Sequence, residues 1–148
     1  MSSIPFRAVD TKGKKLTTIY HPDRKNFAPA AAVILPANAR TLYISGVVGE
    51  NEDGSFGDFR TQVFLIFDRI TEILLNASPS YKSAENAWKH VFEITAYHVG
   101  SLPEHLPIEL EAVDKYLKGA HPTWTSAAVE KLFHDGQLYE VHVKAIVP

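Results

Sequence analysis

Residues 59–77, FRTQVFLIFDRITEILLNA, are the strongest indication of the fold. The apolar residues of this stretch recur every three or four positions, which places them along one side of an amphipathic helix. Asp58 precedes the pattern and is a suitable N-cap, because its carboxylate can accept a hydrogen bond from a backbone N–H of the first turn. Residues 90–99, HVFEITAYHV, alternate in the manner of a strand. Together the two segments predict a helix that packs on a β-sheet.

The other segments are strands and one further helix. We expect strands at residues 6–10, 15–20, 32–35, 41–48, 123–131 and 138–147. The first two should form a hairpin, and so should the next two, because turn residues separate the members of each pair. The second helix begins after Gly100 and ends at Gly119. This order predicts an α+β two-layer domain, in which two helices cover one face of one mixed sheet.

Composition indicates one ordinary soluble domain. The chain has 148 residues, 15 Lys and Arg against 17 Asp and Glu, 45% hydrophobic residues and no cysteine. We expect a single domain over residues 1–148, with a hairpin and loop in 1–26 and the core in 27–148. The lack of cysteine excludes disulfides, Cys-ligated metal centres and a thiol nucleophile. No apolar run approaches the ~20 residues that cross a bilayer and no secretory signal is visible, so we expect a cytoplasmic protein without a membrane partner.

Sequence signatures of metal and cofactor binding do not occur. The seven histidines form no HxH or HExxH pattern, and phosphate-binding glycine motifs such as GxGxxG are missing. We therefore expect neither a metal nor an organic cofactor. Nucleic acid is the least expected partner, because the net charge is −2 and no RNA-binding aromatic signature occurs.

The last strand carries a candidate acid/base residue. His142 lies between Glu140 and Lys144 on the strand face opposite to the apolar positions. An imidazole can accept and return a proton near neutral pH, but a hydrogen-bonded interface histidine fits the pattern equally well. Lys144 could stabilise charge, form an iminium link or pair with an acid such as Glu140. Trp124 is either core or interface filler or an apolar wall for a ligand.

The face of the sheet that the helices leave open is expected to be an interface. Along the strand at 123–131, Trp124 and Ser126 alternate with Thr123 and Thr125, so neither face is fully polar. Burial against another subunit would cover the open face. We therefore expect a homo-oligomer.

Three parts of the chain resemble the RidA (YjgF-like) family of reactive-intermediate deaminases. They are TLYISGVVG at 41–49, the helix from Phe59 with the strand that ends in Tyr97-His98-Val99, and HPTWTSAAV at 121–129 with LYEVHVKAI at 138–146. The resemblance implies a chorismate-mutase-like α+β subunit, a homotrimer with a central barrel, and a ligand cleft at each subunit interface. Members of the family typically hydrolyse enamines and imines derived from amino acids, without a metal or organic cofactor.

The resemblance also implies site residues, and this chain departs from most of them. Trp124 stands at the position of the family arginine, which binds the substrate carboxylate, and His142 stands at that of a glutamate that positions water. The pocket asparagine of the family falls near Leu110, and Ser126 holds a position that is often cysteine. Without the arginine's bidentate hydrogen bonds to a carboxylate, we do not expect general hydrolysis of amino-acid imines.

We therefore predict a cleft with altered chemistry. The catalytic candidates are His142, Ser126 and Lys144, and the substrate-binding candidates are Trp124, Ser45, Gly46 and Leu110. The backbone around Ser45 and Gly46, which matches the family, should supply N–H donors. These groups favour cofactor-independent acid/base chemistry, namely hydrolysis, dehydration or isomerisation, on an apolar carbonyl or imine compound. A non-catalytic ligand-binding or regulatory protein is the first alternative, and a family-type deaminase or ribonuclease is the second.

Overall fold

A four-stranded mixed sheet with helices packed on one face forms the body of the chain. The structure is a computed structural model that describes residues 7–9, 29–30 and 32–148. Its elements in chain order are β1 (Arg7–Val9), β2 (Ala32–Ile34), β3 (Arg40–Val48), α1 (Phe59–Ala77), α2 (Ala84–Lys89), β4 (Val91–Val99), α3 (Leu102–Tyr116), β5 (Thr123–Val129) and β6 (Tyr139–Val147).

The strand order of this sheet is β3-β6-β4-β5. β6 runs antiparallel to both β3 and β4, whereas β4 and β5 are parallel. Parallel neighbours need a crossover connection, and α3 supplies it. β1 and β2 form a separate antiparallel pair. The prediction of an α+β fold with one mixed sheet is confirmed, but the described residues contain three helices rather than two.

α1 begins and ends as the sequence predicts. Asp58 caps it by accepting a hydrogen bond from the backbone N–H of Thr61 at 2.8 Å. Five apolar residues along one side of the helix are fully buried: Val63, Ile66, Phe67, Ile70 and Leu74. Burial of each such side chain contributes about 1.5–3 kcal/mol. Neither α1 nor any other helix of the described residues is long and apolar enough to cross a membrane.

α2 is the helix that the periodicity did not predict. It has six residues, which is less than two turns and too short for a repeating apolar pattern. Ser83 caps it by accepting a hydrogen bond from Asn86 N at 3.1 Å. Trp88 anchors it, because its buried ring stacks on Phe67 with ring centroids 5.4 Å apart.

Alternation along the strands divides the sheet into a helix-covered face and an open face. On β6 the buried residues are Tyr139, Val141, Val143 and Ala145, and the partly exposed residues between them are Glu140, His142 and Lys144. His142 therefore lies on the open face, as the sequence predicts.

The predicted pairing of residues 32–35 with 41–48 is wrong. β2 pairs with β1, and β3 pairs with β6 over seven residue positions. Pro36 and Asn38, the latter with φ of 62°, form a turn closed by a hydrogen bond from Ala39 N to Pro36 O. After that turn, β3 pairs with β6, because β6 is much longer than the three residues of β2 and can form more backbone hydrogen bonds with it. The other predicted hairpin involves residues 15–20, which lie outside the described residues, and the division of the chain at residue 26 stays a prediction.

Candidate functional site

A β-bulge in β3 lies directly opposite His142. β3 and β6 pair regularly on both sides of it, but Ser45 and Gly46 together face the single residue His142. Gly46 leaves room for the side chains opposite it, since a Cβ there would lie 2.1 Å from Glu140 Oε1 and 2.9 Å from His142 Nε2 and would displace both groups. A bulge takes one residue out of the regular ladder and re-aims the neighbouring groups, which is why bulges are common beside active sites.

His142 is held by a chain of hydrogen bonds on the open face. Its Nε2 lies 2.9 Å from Glu140 Oε1, and Gln137 Nε2 donates to the other oxygen of Glu140 at 3.0 Å. The ring of Tyr97 packs edge-on against the imidazole, with centroids 5.6 Å apart and an interplanar angle of 82°. The His142 side chain is still 44% exposed. Its orientation is therefore fixed while the ring remains accessible to a ligand.

Lys144 pairs with Glu93 rather than with Glu140. The two residues are direct cross-strand neighbours, and Lys144 Nζ lies 2.8 Å from Glu93 Oε1. This hydrogen bond to the carboxylate raises the pKa of Lys144. The ammonium group also lies over the ring of Tyr43, 5.6 Å from its centroid. Lys144 is thus held in its charged form, which suits charge stabilisation and not an iminium link.

A shallow cavity on the open face includes His142. Its volume is about 350 Å³, and we call it the His142 cavity. It is lined by Tyr43, Ile44, Ser45, Glu93, His142, Val143 and Lys144. This cavity therefore brings together three of the predicted site residues from β3 and β6, namely Ser45, His142 and Lys144.

A second and larger cavity lies between β5, the edge strand of the sheet, and α3. Its volume is about 540 Å³, and we call it the Trp124 cavity. Trp124 and Ser126 line it from β5, and Trp124 Nε1 donates a hydrogen bond to Ser126 Oγ at 2.9 Å. Leu102, Pro103 and Leu106 form its wall on α3. The cavity is largely apolar, with the indole held in one orientation.

Two buried ionisable groups border the Trp124 cavity. His98 Nε2 and Glu109 Oε2 lie 2.8 Å apart, at ion-pair distance, but Nε2 has no well-aligned hydrogen bond within the described part of the chain. Tyr139 OH donates to Glu109 Oε2 at 3.0 Å. On its other side, His98 Nδ1 meets His105 Nδ1 at 3.2 Å, and His105 stacks on Phe59. Burial, and secondarily the charge of His98, lower the pKa of His105.

The structure divides the predicted site residues between the two cavities. Trp124 and Ser126 pair across strands with Ile94 and Ala96, which are fully buried, so they lie on the helix-covered face. His142 lies on the opposite face. A single subunit therefore does not bring all of the predicted cleft residues together in one cavity.

Leu110 does not line the Trp124 cavity. It is 3% exposed and packs in the apolar core, whereas its neighbour Glu109 lines the cavity. The pairing of His98 with Glu109 was missed because the two residues come from different elements. The only available signal was the pair of histidines seven residues apart, at 98 and 105, which flank the start of a helix.

Residues 7–9, 29–30 and 32–148 contain no group of three or more His, Asp or Glu side chains placed to hold a metal ion. The ionisable side chains at both cavities instead pair with one another. His142 contacts Glu140, Lys144 contacts Glu93, and His98 lies beside Glu109.

Neither a family model nor a curated protein matches the sequence, but solved structures match the fold. The Rid-family protein YyfB from Yersinia pestis superposes with a TM-score of 0.74 at 22% identity, over 97% of this chain and 99% of YyfB. The chain has the Rid (YjgF) fold. YjgH has a TM-score of 0.59 at 26% identity, over 80% of this chain and 83% of its own.

A third solved structure has a similar fold. Rv2704 from Mycobacterium tuberculosis, of the YjgF/YER057c/UK114 family, has a TM-score of 0.58 at 18% identity, over 80% of this chain and 86% of its own. The resemblance to RidA proteins is thus confirmed at the level of the fold. Identities this low leave the chemistry of the site to be argued from its own residues.

Proposed function

We propose that this chain is a RidA-like small-molecule enzyme that applies cofactor-independent acid/base chemistry to an apolar carbonyl or imine compound. The observation that carries the proposal is His142, an accessible imidazole whose orientation is fixed by Glu140 and which faces a backbone bulge. A base oriented by a carboxylate beside an irregular stretch of backbone suits proton transfer next to a carbonyl.

The tautomer of His142 follows from its partner. When Nε2 donates its proton to Glu140, Nδ1 carries the lone pair and is the basic nitrogen. Nδ1 then removes a proton α to a carbonyl or imine carbon, or activates a water for attack on that carbon. Backbone N–H groups at Ser45 and Gly46, together with the Lys144 ammonium, would stabilise negative charge that develops on the substrate oxygen or nitrogen.

The proposal includes a homotrimer with the site between subunits. Trp124 and His142 lie on opposite faces of the sheet in one subunit, so one ligand can contact both only if two copies meet. In this arrangement the Trp124 cavity of one copy holds the apolar part of the substrate. The open face of the next copy supplies His142. We propose a cytoplasmic location as well.

The charges at the site argue against a general amino-acid imine deaminase. Among the described residues that line the two cavities, Lys144 is the one Lys or Arg, and its ammonium is shared with Glu93. It can contribute to stabilising charge that develops on the substrate, but it cannot offer a carboxylate the two parallel hydrogen bonds of a guanidinium. The lack of such a bidentate pair among the described residues would cost an amino-acid-like substrate about 2–4 kcal/mol.

A proton-exchange assay tests the proposed function. Phenylacetone is an apolar ketone, and exchange of its α protons in D₂O can be followed by NMR. We expect the wild-type protein to accelerate the exchange and His142→Ala to lower the accelerated rate by about 10²–10⁴. His134→Ala is the matched control, because it removes an exposed histidine from the loop before β6 and should retain the wild-type rate. Equal rates for His142→Ala and the wild-type protein would exclude His142 as the base.

A non-catalytic ligand-binding protein is the second candidate. It is favoured by the Trp124 cavity, whose wall is mostly apolar and whose Ser126 hydroxyl is already engaged by the indole N–H. Phenylacetone can also distinguish a binding function from an enzymatic one, since its binding and its proton exchange are measured separately. Binding of phenylacetone, measured by calorimetry, without any acceleration of proton exchange would establish the binding function and exclude the enzymatic one for such ketones.

A further inference from the structure

A turn before β6 holds the side chain of Gln137 against the carboxylate of Glu140. In this turn, which covers residues 134–137, Gln137 N donates to His134 O at 3.1 Å, and Gly136 has a φ of 80°. The side chain of Gln137 folds back over the turn, and its Oε1 accepts a hydrogen bond from His134 N at 3.2 Å. Its Nε2 donates to Glu140 Oε2 at 3.0 Å. Gln137 is therefore a buried amide that is engaged at both ends.

The backbone N–H of His134 decides which end of the Gln137 amide faces Glu140. A backbone N–H can only donate, so the amide oxygen must face it and the NH₂ group must face the carboxylate. The NH₂ group can also only donate, so Glu140 Oε2 is an acceptor in this contact. The other oxygen, Oε1, then faces His142 Nε2 at 2.9 Å. The amide thus sets the orientation of the carboxylate that contacts the imidazole.

A second buried glutamine anchors the turn to α1. Gln62 is fully buried, its Oε1 accepts from Leu138 N at 2.8 Å, and its Nε2 donates to Gly136 O at 3.0 Å. These two partners are the residues on either side of Gln137. The backbone that carries Gln137 is therefore fixed to the core of the fold, and the amide has a rigid base from which to hold Glu140.

Glu140 needs such a support, because its side chain is long and lies on the open face, where it is 22% exposed. Ordering a glutamate side chain costs conformational entropy. Among the described residues, its carboxylate has hydrogen bonds to Gln137 and His142. Gly46 leaves the space for the contact with His142 but has no side chain that could hold the carboxylate. The support for Glu140 that does not involve His142 itself is therefore Gln137.

We propose that Gln137 is a positioning residue for the base: it holds Glu140 in the orientation in which that carboxylate accepts from His142 Nε2 and Nδ1 keeps the lone pair. The inference rests on the proposed function and deepens it, because it adds a buried amide to the pair of His142 and Glu140. Gln137 acts through Glu140 and does not contact the substrate. A base held in one tautomer presents the correct nitrogen in every copy of the protein.

Nitrogen NMR of the histidine rings tests the proposal. In a protein labelled with ¹⁵N-histidine, a protonated and a bare ring nitrogen resonate far apart, and the signals of His142 are those that His142→Ala lacks. We expect the wild-type protein at pH 8 to show His142 with Nε2 protonated and Nδ1 bare. Gln137→Met keeps a long side chain and removes the amide. In this variant the two signals should move towards each other, because the ring then exchanges between both tautomers.

Tyr81→Phe is the matched control. It removes another buried hydrogen bond to β6, the one that Tyr81 OH donates to Ile146 O at 2.6 Å, at the opposite end of the strand from Glu140. We expect the His142 signals of this variant to stay at their wild-type positions. Signals that move as far in Tyr81→Phe as in Gln137→Met, unchanged signals in Gln137→Met, or a wild-type ring protonated at Nδ1 would each overturn the inference.

A second variant covers the case in which Gln137→Met does not fold. Gln137→Glu keeps an oxygen that accepts from His134 N, so the turn can form as in the wild-type protein. It replaces the donor towards Glu140 with a second carboxylate, and the two like charges repel each other at pH 8. The signals of His142 should again move towards each other, and wild-type signals in Gln137→Glu would overturn the inference.

The inference and the proposed function fail in different measurements. The ring signals report the tautomer of His142 whether or not the protein is an enzyme. In the exchange assay with phenylacetone, Gln137→Met should lower kcat by roughly tenfold and leave KM unchanged, because Gln137 orients the base and does not bind the ketone. A tautomer that depends on Gln137, without any acceleration of exchange, would sustain the inference and overturn the proposed function. Exchange that depends on His142, with ring signals and kcat that do not respond to Gln137→Met, would sustain the enzyme and overturn the inference.

Discussion

His105 lies flat against Phe59, with ring centroids 3.6 Å apart and planes 7° from parallel. Burial first, and the nearby His98 second, lower its pKa below the ordinary value of 6.5. The folded state therefore favours the neutral ring. Between the lowered pKa and 6.5, the unfolded chain binds more protons than the folded chain, so the free energy of unfolding falls as the pH decreases. This loss should begin as the pH drops below about 6.5.

We expect His105→Phe to remove part of this pH dependence, because phenylalanine keeps the stacking on Phe59 and cannot titrate. The measurement is urea unfolding of the wild-type protein and the variant at pH 7.5 and 5.5. His134→Phe is the control, since His134 is exposed and its replacement should leave the acid-induced loss intact. A loss of the same size in His105→Phe and the wild-type protein would show that other groups cause it.

The sequence predicts which face of a strand a side chain occupies, because side chains alternate along a strand. It does not predict which residues of two different elements will contact each other. The period of two along β6 places His142 on the open face, beside Glu140, as expected. On a helix, an error of one residue turns the side chain by about 100°. The expected pocket position at Leu110 is therefore in the core, and its neighbour Glu109 faces the cavity.

At the scale of elements, Arg69 joins α1 to the end of β3. Its guanidinium donates one hydrogen bond to Val48 O at 2.5 Å and a second to Glu50 O. These bonds satisfy backbone carbonyls at the point where the chain leaves the sheet. We expect Arg69→Ala to lower the free energy of unfolding by about 2 kcal/mol, measured by urea denaturation.

Arg60→Ala provides the comparison on the same helix. Arg60 pairs with Glu111, but both side chains are about half exposed, so solvent screens the pair and its loss should change stability little. The two substitutions remove the same side chain in different surroundings. Equal effects on the free energy of unfolding would mean that the backbone contacts of Arg69 do not stabilise the fold.

Long helices were easier to predict from the sequence than short ones. The 19 residues of α1 repeat the apolar pattern over five turns, whereas the six residues of α2 cannot show it. Strand pairing was harder to predict, because a local turn at Pro36 suggests a hairpin while β3 finds its partner about 100 residues later in β6. Sequence neighbours carry no information about such a distant partner.

At the scale of the whole molecule, the open face of the sheet has the character of an interface. Tyr43 is 70% exposed there, beside the ion pair of Lys144 with Glu93 and the partly exposed His142. Exposed tyrosines are enriched where another protein surface covers them. The proposed site also needs two copies, since its two halves lie on opposite faces of the sheet.

We expect a homotrimer that depends on Tyr43. Tyr43→Glu would add a negative charge to the expected interface, where burial of an unpaired carboxylate is costly, and should shift the protein to monomers in light scattering. Asn76→Glu adds the same charge at an exposed position of α1, on the helix side of the sheet, and should leave the trimer intact. A wild-type monomer would remove the shared site, and a trimeric Tyr43→Glu variant would mean that the subunits meet through another surface.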